Sequence, residues 1–512
     1  MNPVKTSFSV YSWLILAMLS LFLAGGDRPV EIAVWFYPIF LLRFFRGVKW
    51  WKALIFSLPL MIIVSFVSNQ GMTPIPFNIL IMLTAINSVI ALIPYIVDQL
   101  LYRSLPKYLK TLLFPAAVVT AEVFLASAFK GATWGNPVYG INNLPLLQIV
   151  SIVGIWGLMF LIYWTASVIN EVWEHRSSLS NIRGFAIVFL VILIVIYGFG
   201  LWRLHNEKTE VNMVHVAGIT SGVDYRTEMV EILGKVFSAN RTGTFDKEGI
   251  RTAGQKKYQE LLSESEKLAQ SGVEIVAWSE GAAFIFESDK ELNIHQAIQS
   301  TKENKYYLAL GILVLQDNCF ELVAKNKPFL RNMLILIDPD GNVAWEYSKL
   351  NLAPGYERIM TIPGDGTLKL SKTVKGTVTG VICYDMDFPD YIRQAGVMNS
   401  DLLIAPSFDW LEVKNIHAKM ARLRAIENGI SLLRPSNSGI STAVDPYGNI
   451  MSSVDDIKSN ASPLVSVLPV GSVKTLYSTL GDFWIWVCTI GGIFLIISGV
   501  LRVLKQKLLN KR

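Results

Sequence analysis

The chain has 512 residues, 52% of them apolar and 17% charged, with a formal net charge of +6. That length implies more than one domain, and a mean hydropathy of +0.41 excludes a wholly water-soluble enzyme. The positive balance is thin and its basic residues sit beside apolar stretches, which points to membrane topology and away from nucleic-acid binding.

A helix needs about 20 mostly apolar residues to cross the hydrocarbon layer. The candidate spans, in order, are Tyr11–Ala24, Ile32–Phe45, Trp51–Val67, Phe77–Ile96, Leu112–Phe129, Leu147–Ile169 and Gly184–Leu201. An eighth, Phe483–Leu501, lies near the C-terminus. The first two are short. The first is not read as a signal peptide, because no small-residue cleavage site leads into a soluble domain and more spans follow at once. Residues 1–205 are therefore expected to form a transmembrane domain of about seven helices, and residues 480–512 a last helix with a basic cytoplasmic tail.

Short loops rich in Lys and Arg stay on the cytoplasmic side. Arg43, Arg46, Lys49 and Lys52 separate spans two and three, and Arg103, Lys107 and Lys110 separate four and five. Arg176 and Arg183 separate six and seven, and Arg502, Lys505, Lys507, Lys511 and Arg512 fill the tail. The alternate loops hold little beyond Arg28 and Lys130. Both termini are thus expected inside and the long polar segment, 210–472, outside. Glu122, within span five, is read as a structural polar contact between helices. The outer loop running from Lys130 to Tyr139 carries Trp134 and Tyr139, amphipathic rings suited to an interface. They are candidates to line a lipid path, and interfacial anchoring is the simpler reading.

The polar segment alternates strand and helix patterns. Strands are expected at Val211–Val216, Val273–Trp278, Tyr306–Val314, Met333–Asp338, Asn342–Tyr347, Thr377–Ile382, Leu402–Ala405, Ser431–Leu433 and Thr442–Val444. Helices are expected at Leu261–Gln270 and Met420–Gly429 after a polar stretch, Ser221–Lys257. Asp338-Pro-Asp-Gly341 and Asp445-Pro-Tyr-Gly448 are turns: Pro presets φ and Gly permits positive φ. This alternation implies an α/β sandwich. The sequence has no Gly-rich phosphate loop and no His/Cys cluster at metal-ligand spacing, so neither cofactor nor metal is expected. Of the cysteines Cys319, Cys383 and Cys488, no spacing demands a disulfide.

Three polar groups stand where strands end. Glu280 follows Val273–Trp278, Lys349 follows Asn342–Tyr347, and Cys383 follows Gly380-Val381-Ile382. Each alone is more often structural. Together they supply a base, a positive charge and a thiol, the parts of a cysteine acyl-transfer site. The thiolate is the nucleophile, so Cys383 needs Glu280 to take its proton, and Lys349 to favour thiolate and oxyanion. The Tyr384 N–H would complete the oxyanion hole. Glu357 is placed to orient Lys349 or act as a second acid/base, and Asp385 to hold the loop. Arg422 and Glu427 read as a structural ion pair.

The runs Ala277-Trp-Ser-Glu280, Tyr347-Ser-Lys349 and Ile382-Cys-Tyr-Asp385 resemble the Glu–Lys–Cys triad of the nitrilase, or carbon–nitrogen hydrolase, superfamily. The run His417-Ala-Lys-Met-Ala-Arg-Leu-Arg-Ala-Ile-Glu427 and then Leu432-Leu-Arg-Pro-Ser-Asn-Ser-Gly439 resemble the apolipoprotein N-acyltransferases, its membrane branch. The resemblance implies a multi-span helical membrane domain plus an αββα sandwich. It implies ping-pong transfer of an acyl chain from a membrane phospholipid to the α-amino group of a diacylglyceryl-cysteine lipoprotein, in a bacterial inner membrane. The chain departs from the family's pattern in Trp278-Ser-Glu-Gly281 (usually Trp-Pro-Glu-Thr), in Asp385 (usually Glu) and in Gly355-Tyr356-Glu357 (usually Phe-Gly-Glu). It departs again where Ser407-Phe408-Asp409 replaces an Asn-Asp pair before Trp410, a ring that would sit near the substrate's path. The alternatives are a membrane-tethered amidase, with water as acceptor, and a non-catalytic membrane scaffold.

Overall fold

The computed structural model describes all residues except 1–6, 74, 129–131, 177–178, 207–211, 223–226, 228–230, 232–246, 460 and 510–512. Phe129, Lys130, Val211, Lys511, Arg512 and most of the polar stretch after Ser221 therefore lie outside the described residues. The chain divides into two compact units, one of Met1–Glu207 with Leu480–Arg512, the other of Lys208–Thr479.

The first unit is helical: α1 Ser7–Ala24, α2 Glu31–Gly47, α3 Trp50–Ser68, α4 Phe77–Leu101, α5 Lys110–Ala128, α6 Val150–Glu174, α7 Leu179–His205 and the final helix Phe483–Leu509. A helix stands at each of the eight expected spans. Six are long and apolar enough to cross a membrane. The other two are the short apolar Val10–Ala24 and α2, which carries Glu31, Arg43 and Arg46 within its 17 residues. Glu122 falls in α5 and is half-buried. Arg43 and Arg46, expected in a loop, lie in α2, where the Arg46 guanidinium donates two bonds to Asp98 of α4, at 2.8 and 2.9 Å. Arg43 reaches Glu174 of α6 at 3.5 Å, and Lys110 of α5 pairs with Glu171 of α6. A paired guanidinium tolerates such burial because its fork matches a carboxylate.

The second unit is built on two sheets. One has the order β15-β1-β2-β4-β5-β6, with β3 also on β4; the strands are β1 Asn212–Ile219, β2 Ile275–Trp278, β3 Ala283–Phe286, β4 Tyr307–Leu315, β5 Leu330–Ile337, β6 Val343–Ser348 and β15 Leu464–Val470. The other has the order β14-β13-β11-β9-β8-β7, from β7 Leu370–Lys372, β8 Thr377–Gly380, β9 Leu402–Ile404, β11 Ser431–Arg434, β13 Ile440–Val444 and β14 Ile450–Asp455. A parallel pair, β10 Ser407–Phe408 with β12 Ser436–Asn437, lies beside them.

Strands β2, β4 and β9 are apolar throughout because both faces are covered. Val216, Ala277, Leu334, Trp345 and Tyr347 meet Val378, Ile404, Leu432 and Ala443 in one core between the sheets. On the outer face of the first sheet, Val276, Trp278, Leu308 and Leu310 pack against Tyr258, Leu261 and Ala297 of helices α8 Lys247–Gln270 and α9 Lys290–Asn304. Helices α10 Pro389–Val397 and α11 Lys414–Asn428 belong to the second sheet, whose core includes Ile392, Ala395, Ala421 and Ala425. The fold class is the expected one: membrane-type helices plus a nitrilase-like αββα sandwich. The sequence reading began α8 too late because the first turns of α8 present mostly polar residues, and it placed no helix at α9.

Candidate active site

Glu280 leaves β2 through a tight turn. Ala282 N–H donates to Ser279 O at 3.2 Å, and Gly281, the third residue of that turn, has φ +58°. A side chain is disfavoured at that φ, and glycine adopts it without strain. The turn is anchored from behind by Trp278, fully buried, whose indole donates to Ser265 of α8 at 2.9 Å and meets the Tyr258 ring edge-on at 5.1 Å.

Lys349 follows β6 and is 2% exposed. Its ammonium donates to Glu280 Oε1 at 2.8 Å and reaches Glu357 Oε1 at 2.7 Å. Glu357 is carried by the short helix Tyr356–Met360 and also accepts from Ala353 N at 2.7 Å. Asn332, inside β5, donates to Glu280 at 2.7 Å and lies 3.4 Å from Glu357. The sequence reading missed Asn332; its signal is the one amide in the strand Leu330–Ile337, whose only other polar residue is the adjacent Arg331. Burial alone would strip the Lys349 proton, but Glu280 and Glu357 outweigh it and hold the ammonium well above its ordinary range. For Glu357, burial and the Glu280 charge raise the carboxyl against the pull of Lys349.

Cys383 opens a 3-10 turn, Cys383–Asp387, with φ +47°. A non-glycine residue held there is uncommon and is retained where its surroundings over-determine it. They do: Cys383 N–H donates to Pro406 O at 2.8 Å, and Sγ lies 3.7 Å from Phe408 O, its acceptor. Asp385 pins the turn from inside, accepting from Ile382 N at 3.0 Å, Tyr347 OH at 2.6 Å and Asn351 N at 2.9 Å. Burial raises the Asp385 carboxyl to about 6 despite those donors. Asp385 thus ties the nucleophile's turn to the segment after Lys349. Burial, then the charge on Glu280, push the Cys383 thiol well above its ordinary value, with Lys349 pulling the other way. The resting sulfur is therefore a neutral thiol, and activation requires a base to remove its proton as it attacks.

Glu280, Lys349, Cys383, Glu357 and Asp385 are gathered in one buried site, with Tyr384 next to the nucleophile. Tyr139 is fully buried in the helical unit, with its hydroxyl hydrogen-bonded to Thr133. Trp134 is half-buried in that unit. Trp410 is half-buried and stands 6.3 Å from the His417 ring. Arg422 and Glu427 do not pair: Arg422 donates to Gly448 O at 2.6 Å, and Glu427 pairs with Arg424 at 2.7 Å. Five residues apart on one helix, 422 and 427 face different directions, whereas 424 and 427 are neighbours.

Residues 247–460, most of the sandwich unit, match the family described as carbon–nitrogen hydrolase. At the scale of the chain, the similarity is to apolipoprotein N-acyltransferases. The protein of that name from Borreliella burgdorferi is 25% identical, over 79% of this chain and 78% of its own. The one from Geobacter metallireducens is 25% identical over 93% and 88%. An amidase structure from Nesterenkonia sp. is 15% identical, with a TM-score of 0.39, covering 51% of this chain and 92% of that one. The chain is an enzyme of the acyltransferase class.

Proposed function

We propose that the protein moves a fatty acyl chain from a membrane phospholipid, through a thioester on Cys383, to the α-amino group of a lipoprotein's diacylglyceryl-cysteine. The observation that carries this reading is the Glu280–Lys349–Cys383 site in a chain that also holds six membrane-length apolar helices. Similarity over most of the chain to apolipoprotein N-acyltransferases supports the choice of donor and acceptor. The Lys/Arg bias of the loops supports a sandwich on the extracytoplasmic face of the inner membrane.

In the first half-reaction Glu280 takes the Cys383 proton while Sγ bonds to the ester carbonyl carbon. The carbon–oxygen ester bond breaks, and Glu280 returns the proton to the departing lysophospholipid oxygen. In the second, the lipoprotein nitrogen attacks the thioester and the carbon–sulfur bond breaks. The nitrogen's proton passes to Glu280 and on to the released sulfur. Lys349, fixed by two carboxylates, keeps its charge through both steps and stabilises each tetrahedral oxyanion. Asn332 and Lys349 hold the Glu280 carboxylate in place through hydrogen bonds to Oε1 at 2.7 and 2.8 Å.

The test is mass spectrometry of lipoprotein N-termini with and without the protein. A third acyl chain on the N-terminal cysteine, present only with the protein, is expected. Unchanged termini, or free fatty acid released in place of the amide, would refute transfer in favour of hydrolysis.

A further inference from the structure

A second buried charge cluster stands behind the nucleophile. His417, on α11 and 5% exposed, has its Nδ1 2.8 Å from Asp409 Oδ1 and its Nε2 3.6 Å from Asp387 Oδ2. Asp409 also accepts two bonds from Arg434 of β11, both at 2.9 Å, and one from Ser436 at 2.9 Å. All four charged groups are buried.

The connections of this cluster lead to the reacting groups. Asp387 is the last residue of the turn that Cys383 begins. Asp409 follows Phe408, whose carbonyl faces the Cys383 sulfur at 3.7 Å. Asp409 N–H donates to Asn437 O at 2.9 Å, and the Asn437 amide donates to Glu280 O at 3.0 Å. The charge on Asp409 is felt at the thiol, where it opposes ionisation.

We infer that His417 is a positioning residue: as an imidazolium bridging Asp387 and Asp409, it clamps the Cys383 turn to the strand pair that anchors Glu280 and cancels negative charge beside the thiol. With His417 charged, two carboxylates face two cations. With it neutral, Asp409 keeps Arg434 and Ser436, while Asp387 loses the cation 3.6 Å away. Burial works against the imidazolium, but Asp387 and Asp409 prevail and raise His417 to about 9. Asp409 is correspondingly lowered to about 2, burial being overcome by Arg434 and His417. The other charged groups on the neighbouring elements are engaged elsewhere. Lys414 pairs with Asp455 at 2.7 Å, and on α10 Arg393 pairs with Asp390 at 3.2 Å, while Tyr391 meets Tyr347 at 2.8 Å.

The inference rests on Cys383 being the acylated residue. The experiment uses the full-length protein in detergent, reading the rate of acyl-Cys383 formation from a fluorescent phospholipid between pH 7 and pH 10. For the unsubstituted protein a fall centred near the raised value of about 9 is expected. His417→Gln should lower the pH 7 rate by about 10²-fold, the scale of a displaced reacting group, and lose the alkaline fall. Adding Asp387→Asn to His417→Gln should restore about tenfold, because it removes one of the two carboxylate charges that the imidazolium offsets. A His417→Gln rate equal to the parent's, an alkaline fall that persists in it, or a double variant no faster than the single would overturn the clamp. If His417→Gln does not fold, a parent rate that climbs steadily through pH 9 overturns it instead. No acyl-Cys383 in the parent would remove the nucleophile, and the clamp with it; a normal parent with an indifferent His417→Gln removes the clamp alone.

Discussion

Each unit buries a cation among carboxylates, and the two differ in what the cation can do. In the helical unit, Arg46 locks onto Asp98 through a two-pronged contact, with Glu171 and Glu174 at 3.9 and 3.7 Å. In the sandwich, Lys349 is a single ammonium shared by Glu280 and Glu357, with the Cys383 thiol within its field. A guanidinium fork bonded two-pronged to a carboxylate on the next helix ties helices together. A point charge beside a strained, protonated thiol and a carboxylate is arranged to move a proton and receive an oxyanion. The contrast separates a structural ion cluster from a reactive one by the chemistry of the cation and by what stands next to it.

The contrast breaks most sharply at the sandwich site. Glu280→Gln should abolish acyl-enzyme formation, because the raised thiol then has no base; retained adduct would place the base elsewhere. Lys349→Ala should cost about 10³-fold in acylation rate while the chain stays folded, as expected for a lost oxyanion donor. Parent-like turnover would remove Lys349 from the chemistry. Glu357→Gln should cost less, about 10²-fold, by letting the ammonium shift. Arg46→Ala sharpens the comparison from the other side. Its expected result is an unchanged acylation rate at low temperature and a loss of about 3–5 kcal/mol of stability in detergent melts, since Asp98 is left buried and unpaired. The smallest effect is a pH dependence. The His417 contribution to stability should be complete below its ordinary 6.5 and lost as pH rises through about 9, because the folded state holds that proton more tightly. Melts at pH 6 and pH 10 check the sign, with His417→Gln as the flat control.

The sequence disclosed the reactive groups because each interrupts a pattern. Glu280, Lys349 and Cys383 are polar residues at the ends of apolar strands, and Asp385 follows the thiol by two residues. What holds these groups was less legible. Asn332 sits inside a strand, where a single amide looks like a surface position until both faces prove buried. The Asp387–His417–Asp409–Arg434 cluster draws on a turn, a helix and two strand segments, so no local spacing announces it. The error over Arg422 and Glu427 came from treating chain proximity as contact on a helix. The helical spans were readable from apolar length alone, yet the burial of Arg43, Arg46 and Lys110 among α2, α4, α5 and α6 was not. Those residues sit at span ends, where the sequence shows only a basic flank.

The central claim is that the Cys383 sulfur carries the acyl chain between donor and acceptor. Incubating the intact protein with phospholipid and no acceptor, then mapping the adduct by peptide mass spectrometry, tests it most directly. The account predicts one fatty acyl group on the Cys383 peptide, released by neutral hydroxylamine and absent from Cys383→Ala. An adduct on Cys319 or Cys488, or one that persists in Cys383→Ala, would contradict it.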